Sequence, residues 1–203
     1  MQGEWKDLGR RLVDPLVALL ARLGLTANQV TVAGLALAVV AGILAGLGHL
    51  RLAATCLILS SLGDLLDGQL ARRTGQAGPL GAFLDSCFDR LAEGAIFLGL
   101  IVHYGATSPW MVVVAGVALI GSFMVSYARA RAEGLRYSCQ VGLMERPERL
   151  ILLIVALLLG GWVLAGGLLV LAALSMTTFL QRLRHVVRLA GNGPAVEKDE
   201  ASD

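Results

Sequence analysis

The chain has 203 residues, of which 56% are hydrophobic and 16% are charged, and its formal net charge is +2. Its mean hydropathy of +0.72 excludes an ordinary soluble domain and predicts an all-α polytopic membrane protein without a separate soluble domain. The three cysteines are odd in number and lack the spacing of a metal site, so we interpret them as small core residues rather than a disulfide framework.

The first predicted element is an amphipathic helix over residues 4–23, in which basic residues interrupt an apolar pattern. The apolar run is too short to span a bilayer, so we expect an interfacial helix on the cytoplasmic side. The alternative is a simple cap on the helix bundle. The sequence lacks the pattern of a signal peptide, and we expect no cleavage.

Six membrane-spanning helices are predicted next, with Thr26 or Asn28 able to cap the first. Their approximate ranges are 29–47, 52–73, 80–104, 109–132, 145–159 and 167–183, with a turn over residues 160–166 before the last. Residues 1–190 are expected to form one membrane domain. The polar tail, residues 191–203, is expected to be disordered and cytoplasmic.

The basic residues indicate an orientation for these six spans. Every Lys and Arg except Arg51 falls on the side that holds both termini and the even-numbered connections between spans. Because cytoplasmic segments carry an excess of Lys and Arg, both termini are predicted in the cytoplasm and the protein in the cell (inner) membrane.

Four aspartates lie in apolar helical sequence between residues 63 and 90: Asp64, Asp67, Asp85 and Asp89. An ionisable side chain near a bilayer is costly to hold, so it indicates function. The spacings of three and four place each pair on one helix face, and the glycine-rich turn of residues 74–80 would bring the two faces together. Clustered carboxylates at low dielectric require a cation, and oxygen ligands favour Mg²⁺ or Mn²⁺. The alternative is helix-end carboxylates paired with neighbouring arginines.

These aspartates belong to a longer pattern that resembles the complete signature of the CDP-alcohol phosphotransferases. The matching residues are Asp64, Asp67, Gly68, Ala71, Arg72, Gly81, Asp85 and Asp89. Members of that family are integral membrane enzymes that transfer the phosphoalcohol part of a CDP-linked substrate to a hydroxyl and release CMP. The resemblance implies CDP-diacylglycerol or a similar CDP-lipid as donor, Mg²⁺ or Mn²⁺ as cofactor, and a homodimer; no nucleic-acid partner is expected.

The resemblance also implies roles for single residues. Asp64, Asp67 and Asp85 would bind one or two divalent ions, and Asp89 would complete the metal site and take the proton from the acceptor hydroxyl. The CDP-lipid would contact the start of the first span and the small and basic residues of the signature: Asn28, Gln29, Val30, Thr31, Gly68, Ala71, Arg72, Gly78 and Gly81.

A second cluster consists of arginines at the predicted cytoplasmic ends of spans four, five and six: Arg129, Arg131, Arg146, Arg149 and Arg182. Arginines that converge from three helices suit a phosphate dianion, and positive-inside topology with anionic lipid headgroups is the alternative. Residues 126–133, 142–150 and 181–183 resemble the phosphatidylinositol-phosphate synthase subfamily. That resemblance implies that Arg129, one of Arg146 and Arg149, and Arg182 bind a small phosphorylated alcohol, inositol 1-phosphate.

Other acceptors or donors stay open, namely glycerol 3-phosphate, free inositol and a CDP-archaeol donor. The competing class of protein is a cation or proton transporter that uses the aspartates. Against a transporter, all four aspartates cluster toward one face of the membrane, and no inverted repeat is evident.

Overall fold

The computed structural model describes residues 14–191, and the regular structure within this range is entirely α-helical. A short helical segment covers residues 14–22. The longer helices that follow it are α1 (Ala27–Gly46), α2 (Leu50–Arg73), α3 (Pro79–Gly105), α4 (Pro109–Gly134), α5 (Arg146–Leu159) and α6 (Gly161–Gly191). The all-α prediction is confirmed for the described residues. The predicted tail from residue 192 onward lies outside them.

Three of these helices, α1, α4 and α6, are long and apolar enough to cross a membrane, and the chain is an integral membrane protein. Helices α2 and α3 have 24 and 27 residues, but they carry the aspartate pairs within their length. Helix α5 has 14 residues, which is shorter than the roughly 20 that a span needs. The count of six spans is therefore not confirmed.

The chain divides into two compact units, Met1–His103 and Tyr104–Asp203. In the first unit, Thr26 caps α1 in a capping box with Gln29, which decides between the two predicted caps in favour of Thr26. Helix α1 packs along α2, and the buried Ser60 hydroxyl of α2 donates a 2.8 Å hydrogen bond to the Gly34 carbonyl. Small residues at this contact let the helix backbones approach closely.

Helix α1 also crosses α3 with direct backbone contact. A Cβ added to Gly99 of α3 would overlap the backbone of Gly42, and one added to Gly42 would overlap the Ala95 carbonyl. Both glycines are required by this crossing, because a side chain at either position has nowhere to go except into backbone atoms.

The N-terminal helical segment packs on the first unit. Val17 is fully buried against Leu66 and Leu70 of α2, with Val30 at the edge of the same cluster. This contact is the kind expected of a cap on the bundle. Residues 4–13 of the predicted interfacial helix lie outside the described residues.

In the second unit, α6 packs against both α4 and α5. Its start corrects the sequence prediction, because the turn expected over residues 160–166 is replaced by a change of direction at Gly160 and at Gly161, the first residue of α6. Gly160 and Gly161 have φ values of 65° and 50°, a left-handed conformation that glycine adopts without strain, so two residues suffice to change direction. Trp162, expected in that turn, lies in the first turn of α6 and is 93% exposed.

Candidate active site

Three of the four aspartates line one cavity of about 260 Å³ in the first unit. Asp64 and Asp67 come from α2 and Asp85 comes from α3, which follows α2 after the loop of residues 74–78. The remaining wall consists mostly of small and polar residues: Ala27, Asn28, Thr31, Gly68, Ala71, Arg72, Gln76, Ala77, Gly78, Gly81 and Ala82. The cavity is therefore acidic, lined by small residues and reached by one arginine.

Asp67 is the one buried residue among the four aspartates. Its residue surface is only 5% exposed, and Thr31 Oγ1 lies 2.6 Å from its Oδ2. The same hydroxyl is 2.9 Å from the Ala27 carbonyl oxygen. A hydroxyl has one proton to donate, and an ionised carboxylate is the stronger acceptor. Thr31 therefore fixes the orientation of the Asp67 carboxylate within the cavity wall.

Asp89 does not line this cavity. It lies one turn beyond Asp85 on α3, its side chain is 12% exposed, and its Oδ2 is 3.5 Å from Nη1 of Arg90. The same Arg90 nitrogen donates a 2.7 Å hydrogen bond to the Ser86 carbonyl. The predicted alternative of a carboxylate paired with a neighbouring arginine is thus seen at Asp89.

The chemistry of the cavity fits a divalent cation, because Asp64, Asp67 and Asp85 offer the hard oxygen donors that Mg²⁺ and Mn²⁺ prefer. Among residues 14–191, no three His, Cys, Asp or Glu side chains are arranged closely enough to hold a metal ion. Room for a ligand exists beside the carboxylates, since a Cβ added to Gly78 or Gly81 would meet open space. Internal packing does not require these two glycines, whereas a bulky ligand in the cavity would.

Two residues predicted to bind the CDP-lipid have contacts elsewhere. The Gln29 side-chain oxygen accepts a 2.9 Å hydrogen bond from the Thr26 backbone N–H. Val30 packs against the Val17 cluster. Sequence reasoning overlooked four wall residues, whose only signal was their position close to predicted site residues in the chain: Ala27, Gln76, Ala77 and Ala82.

The arginines of the second unit are only partly brought together. Arg182 is 2% exposed, and it donates from Nε to the Val141 carbonyl at 2.8 Å and from Nη1 to the Val125 carbonyl at 2.6 Å. Through these two hydrogen bonds, Arg182 of α6 connects the loop before α5 to helix α4. Arg129 donates from Nε to Glu133 Oε1 at 2.9 Å.

The other three arginines have different settings. Arg149 is 2% exposed, with Nη2 3.5 Å from the Ser126 hydroxyl, and Arg146 is the half-buried first residue of α5. Arg131 is exposed, because two residues along a helix turn its side chain about 200° away from that of Arg129. Arg149 and Arg182 are thus buried inside the unit, whereas Arg131 is exposed to its surroundings.

Comparisons with a family model and with known proteins indicate the same family. The family model described as CDP-alcohol phosphatidyltransferase matches residues 24–179. The phosphatidylinositol phosphate synthase of Mycobacteroides abscessus is 38% identical over 186 residues, which is 88% of this chain and 84% of that protein. The archaetidylinositol phosphate synthase of Methanothermobacter thermautotrophicus is 36% identical over 190 residues, which is 92% of this chain and 94% of that protein.

Two crystal structures of the Mycobacterium tuberculosis phosphatidylinositol phosphate synthase are also similar. The structure with CDP-DAG bound has a TM-score of 0.81 at 33% identity, and the match covers 87% of this chain and 94% of the solved chain. The structure in complex with manganese and citrate has a TM-score of 0.82 at 32% identity, and the match covers 90% of this chain and 92% of the solved chain.

Proposed function

Because this chain belongs to the CDP-alcohol phosphatidyltransferase family, we propose that it transfers the phosphatidyl group of CDP-diacylglycerol to a hydroxyl of inositol 1-phosphate and releases CMP. The observation that carries the proposal is the cavity in which Asp64, Asp67 and Asp85 lie beside Arg72 and unobstructed glycines. Carboxylates for a cation, a guanidinium for phosphate and space for a nucleotide are the parts that cleavage of a CDP-linked lipid requires.

The names of the relatives support the acceptor. Both the phosphatidylinositol phosphate synthase and the archaetidylinositol phosphate synthase make an inositol phosphate lipid by name, and they differ in the lipid part. The solved relative with CDP-DAG bound favours CDP-diacylglycerol as donor. CDP-archaeol is the second candidate donor, because an archaetidylinositol phosphate synthase is nearly as similar to this chain.

In this proposal Asp64, Asp67 and Asp85 would hold Mg²⁺ or Mn²⁺ once their side chains move closer together than they lie in the structure, in line with the manganese complex of a relative. When bound there, the ion would supply positive charge that neutralises the pyrophosphate and stabilises CMP as leaving group. Thr31 keeps the Asp67 carboxylate in place by its 2.6 Å hydrogen bond. Arg72 binds a phosphate of the donor with two N–H groups, while Asn28, Gly78 and Gly81 contact the nucleotide.

Asp89 is assigned the proton transfer. It takes the proton of the acceptor hydroxyl as that oxygen forms a bond to the phosphatidyl phosphorus, and the bond from this phosphorus to the CMP oxygen breaks. Its position next to Asp85 rather than in the cavity wall suits a base that meets the acceptor instead of the ion. Positioning and charge stabilisation carry most of the catalysis in such reactions.

The membrane arrangement is part of the same proposal. We place the enzyme in the cell (inner) membrane with six spans, both termini in the cytoplasm, an interfacial N-terminal helix and a homodimeric assembly. The supporting observation is that, with six spans, every Lys and Arg except Arg51 falls on the side of the membrane that holds both termini.

The direct test is CMP release by the purified protein in lipid bilayers with CDP-diacylglycerol and Mg²⁺. We expect release with inositol 1-phosphate, and none with inositol, glycerol 3-phosphate or serine. Release with another acceptor would refute the acceptor assignment and keep the aspartate chemistry. No release with any acceptor, with CDP-diacylglycerol and with CDP-archaeol, would refute the proposed function.

Asp89→Asn is expected to lower kcat by about 10²–10⁴-fold, because the amide cannot accept the hydroxyl proton. Binding of CDP-diacylglycerol should survive, since Asp89 lies outside the wall of the cavity. Single-turnover CMP release and equilibrium binding of the CDP-lipid separate the two effects. The exposed Asp14 offers a matched control, and Asp14→Asn should behave as the unmodified protein. Unchanged turnover in Asp89→Asn would remove Asp89 from the chemistry.

A further inference from the structure

The second unit contains a point on which two guanidinium groups converge. Arg129 and Arg182 each use other nitrogens for hydrogen bonds, to Glu133 and to two backbone carbonyls respectively. Of their terminal nitrogens, Arg129 Nη1 lies 3.8 Å and Arg182 Nη2 lies 4.0 Å from the same atom, Oε1 of Glu145. Two positive groups from helices α4 and α6 are thus directed at one carboxylate oxygen.

Glu145 is held there by charge and not by close hydrogen bonds. Charge-assisted N–H···O bonds have N···O distances of about 2.7–2.9 Å, and both distances here are about an ångström longer. The Glu145 side chain is 49% exposed, so water competes with the two arginines for it. The carboxylate is therefore attracted to this point but can leave it at low cost.

The Glu145 side chain has no evident part in the start of α5. Glu145 is the N-cap residue, yet its side chain makes no capping hydrogen bond. Its backbone carbonyl accepts from the Arg149 N–H at 3.3 Å, and a substitution of the side chain leaves that bond in place. Removing the carboxylate should therefore change the charge at this point and leave the helix intact.

We propose that the Glu145 carboxylate occupies the position of the acceptor's phosphate and is displaced when the acceptor binds. This inference rests on the proposed function and on the expectation from the sequence resemblance that Arg129 and Arg182 bind the phosphate of the acceptor. A dianionic phosphate gains more from two guanidinium groups than one carboxylate does, so it can replace Glu145. An uncharged alcohol cannot. Glu145 is thus a specificity-determining residue that selects doubly charged acceptors at the expense of some affinity.

The test compares Glu145→Gln with Glu148→Gln, which removes an exposed charge from the first turn of the same helix. Binding of inorganic phosphate and of inositol 1-phosphate is measured by calorimetry on the protein in lipid nanodiscs. Glu145→Gln should bind both about two- to tenfold more tightly, as expected from the loss of two ion pairs to a half-exposed carboxylate that compete with phosphate. The KM for inositol 1-phosphate should fall equally, with an unchanged KM for CDP-diacylglycerol, and Glu148→Gln should match the unmodified protein.

Two outcomes would contradict the inference in different ways. Equal or weaker phosphate binding by Glu145→Gln, and by Glu145→Ala as a second variant, would show that Glu145 orients the arginines and is not displaced. That result would leave the proposed function intact. If the unmodified protein bound neither phosphate compound and released CMP with an uncharged alcohol, the acceptor assignment and the role of Glu145 would both be wrong.

Discussion

Asp67→Asn is expected to abolish metal-dependent CMP release, with a fall in kcat/KM of at least about a hundredfold. The substitution removes one of the three carboxylates in the cavity and keeps the size of the side chain. A metal ion contributes several kcal/mol of charge stabilisation to such reactions, and each 1.36 kcal/mol corresponds to about tenfold in rate. The amide oxygen can still accept the hydrogen bond that Thr31 now gives to Asp67, so the contact between α1 and α2 should persist.

Two measurements together check this prediction. Mn²⁺ binding followed by electron paramagnetic resonance should weaken in Asp67→Asn, and CMP release should fall with it. Asp14→Asn, which removes an exposed carboxylate from the same unit, should change neither. Full release with unchanged Mn²⁺ affinity would exclude Asp67 as a metal ligand. A loss of release with unchanged Mn²⁺ affinity would limit its part to substrate binding.

The second large effect is expected from Gly99→Ala, which should destabilise the first unit. The added Cβ would overlap the backbone of Gly42, and backbone atoms cannot rotate away as the end of a long side chain can. Overpacking of this kind costs about 3 kcal/mol or more when the helices have to separate. For a chain of this size that cost corresponds to a fall in Tm of about 6–12 °C.

Thermal unfolding of the purified protein, followed by circular dichroism of its helices, measures this effect. Gly116→Ala in α4 is the matched control, because it also adds a methyl group to a helical glycine but meets open space. It should leave Tm unchanged or raise it slightly, since alanine favours a helix more than glycine does. Equal Tm values for the two variants would show that α1 and α3 do not contact through their backbones.

The contrast between these two glycines shows where sequence reasoning stops. Gly99 and Gly116 both occur in apolar helical sequence, and nothing in their neighbours distinguishes them. The difference lies in what crosses the helix at that level, and Gly42 is far from Gly99 along the chain. A single sequence contains no record of such a crossing, so the requirement for glycine becomes visible only in three dimensions.

The same limit applies to the arginines. The sequence places Arg131 and Arg182 alike at the ends of apolar helices, as possible phosphate ligands. In the structure Arg131 is exposed, whereas Arg182 is buried and donates to two backbone carbonyls. Burial depends on which helices pack around a position. The two residues whose carbonyls accept hydrogen bonds from Arg182 are Val125 in α4 and Val141 in the loop before α5.

The sequence by itself determined the all-α fold, the membrane character, the family and the four aspartates of the family signature. It could do so because hydropathy and helical spacing are local properties, and residues three or four apart share a face in any α-helix. Only the tertiary structure decided that Asp85 joins Asp64 and Asp67 in one cavity while Asp89 lies outside its wall. Four residues along a helix amount to about 6 Å along its axis, which is enough to move a carboxylate out of one cavity although it stays on the same face.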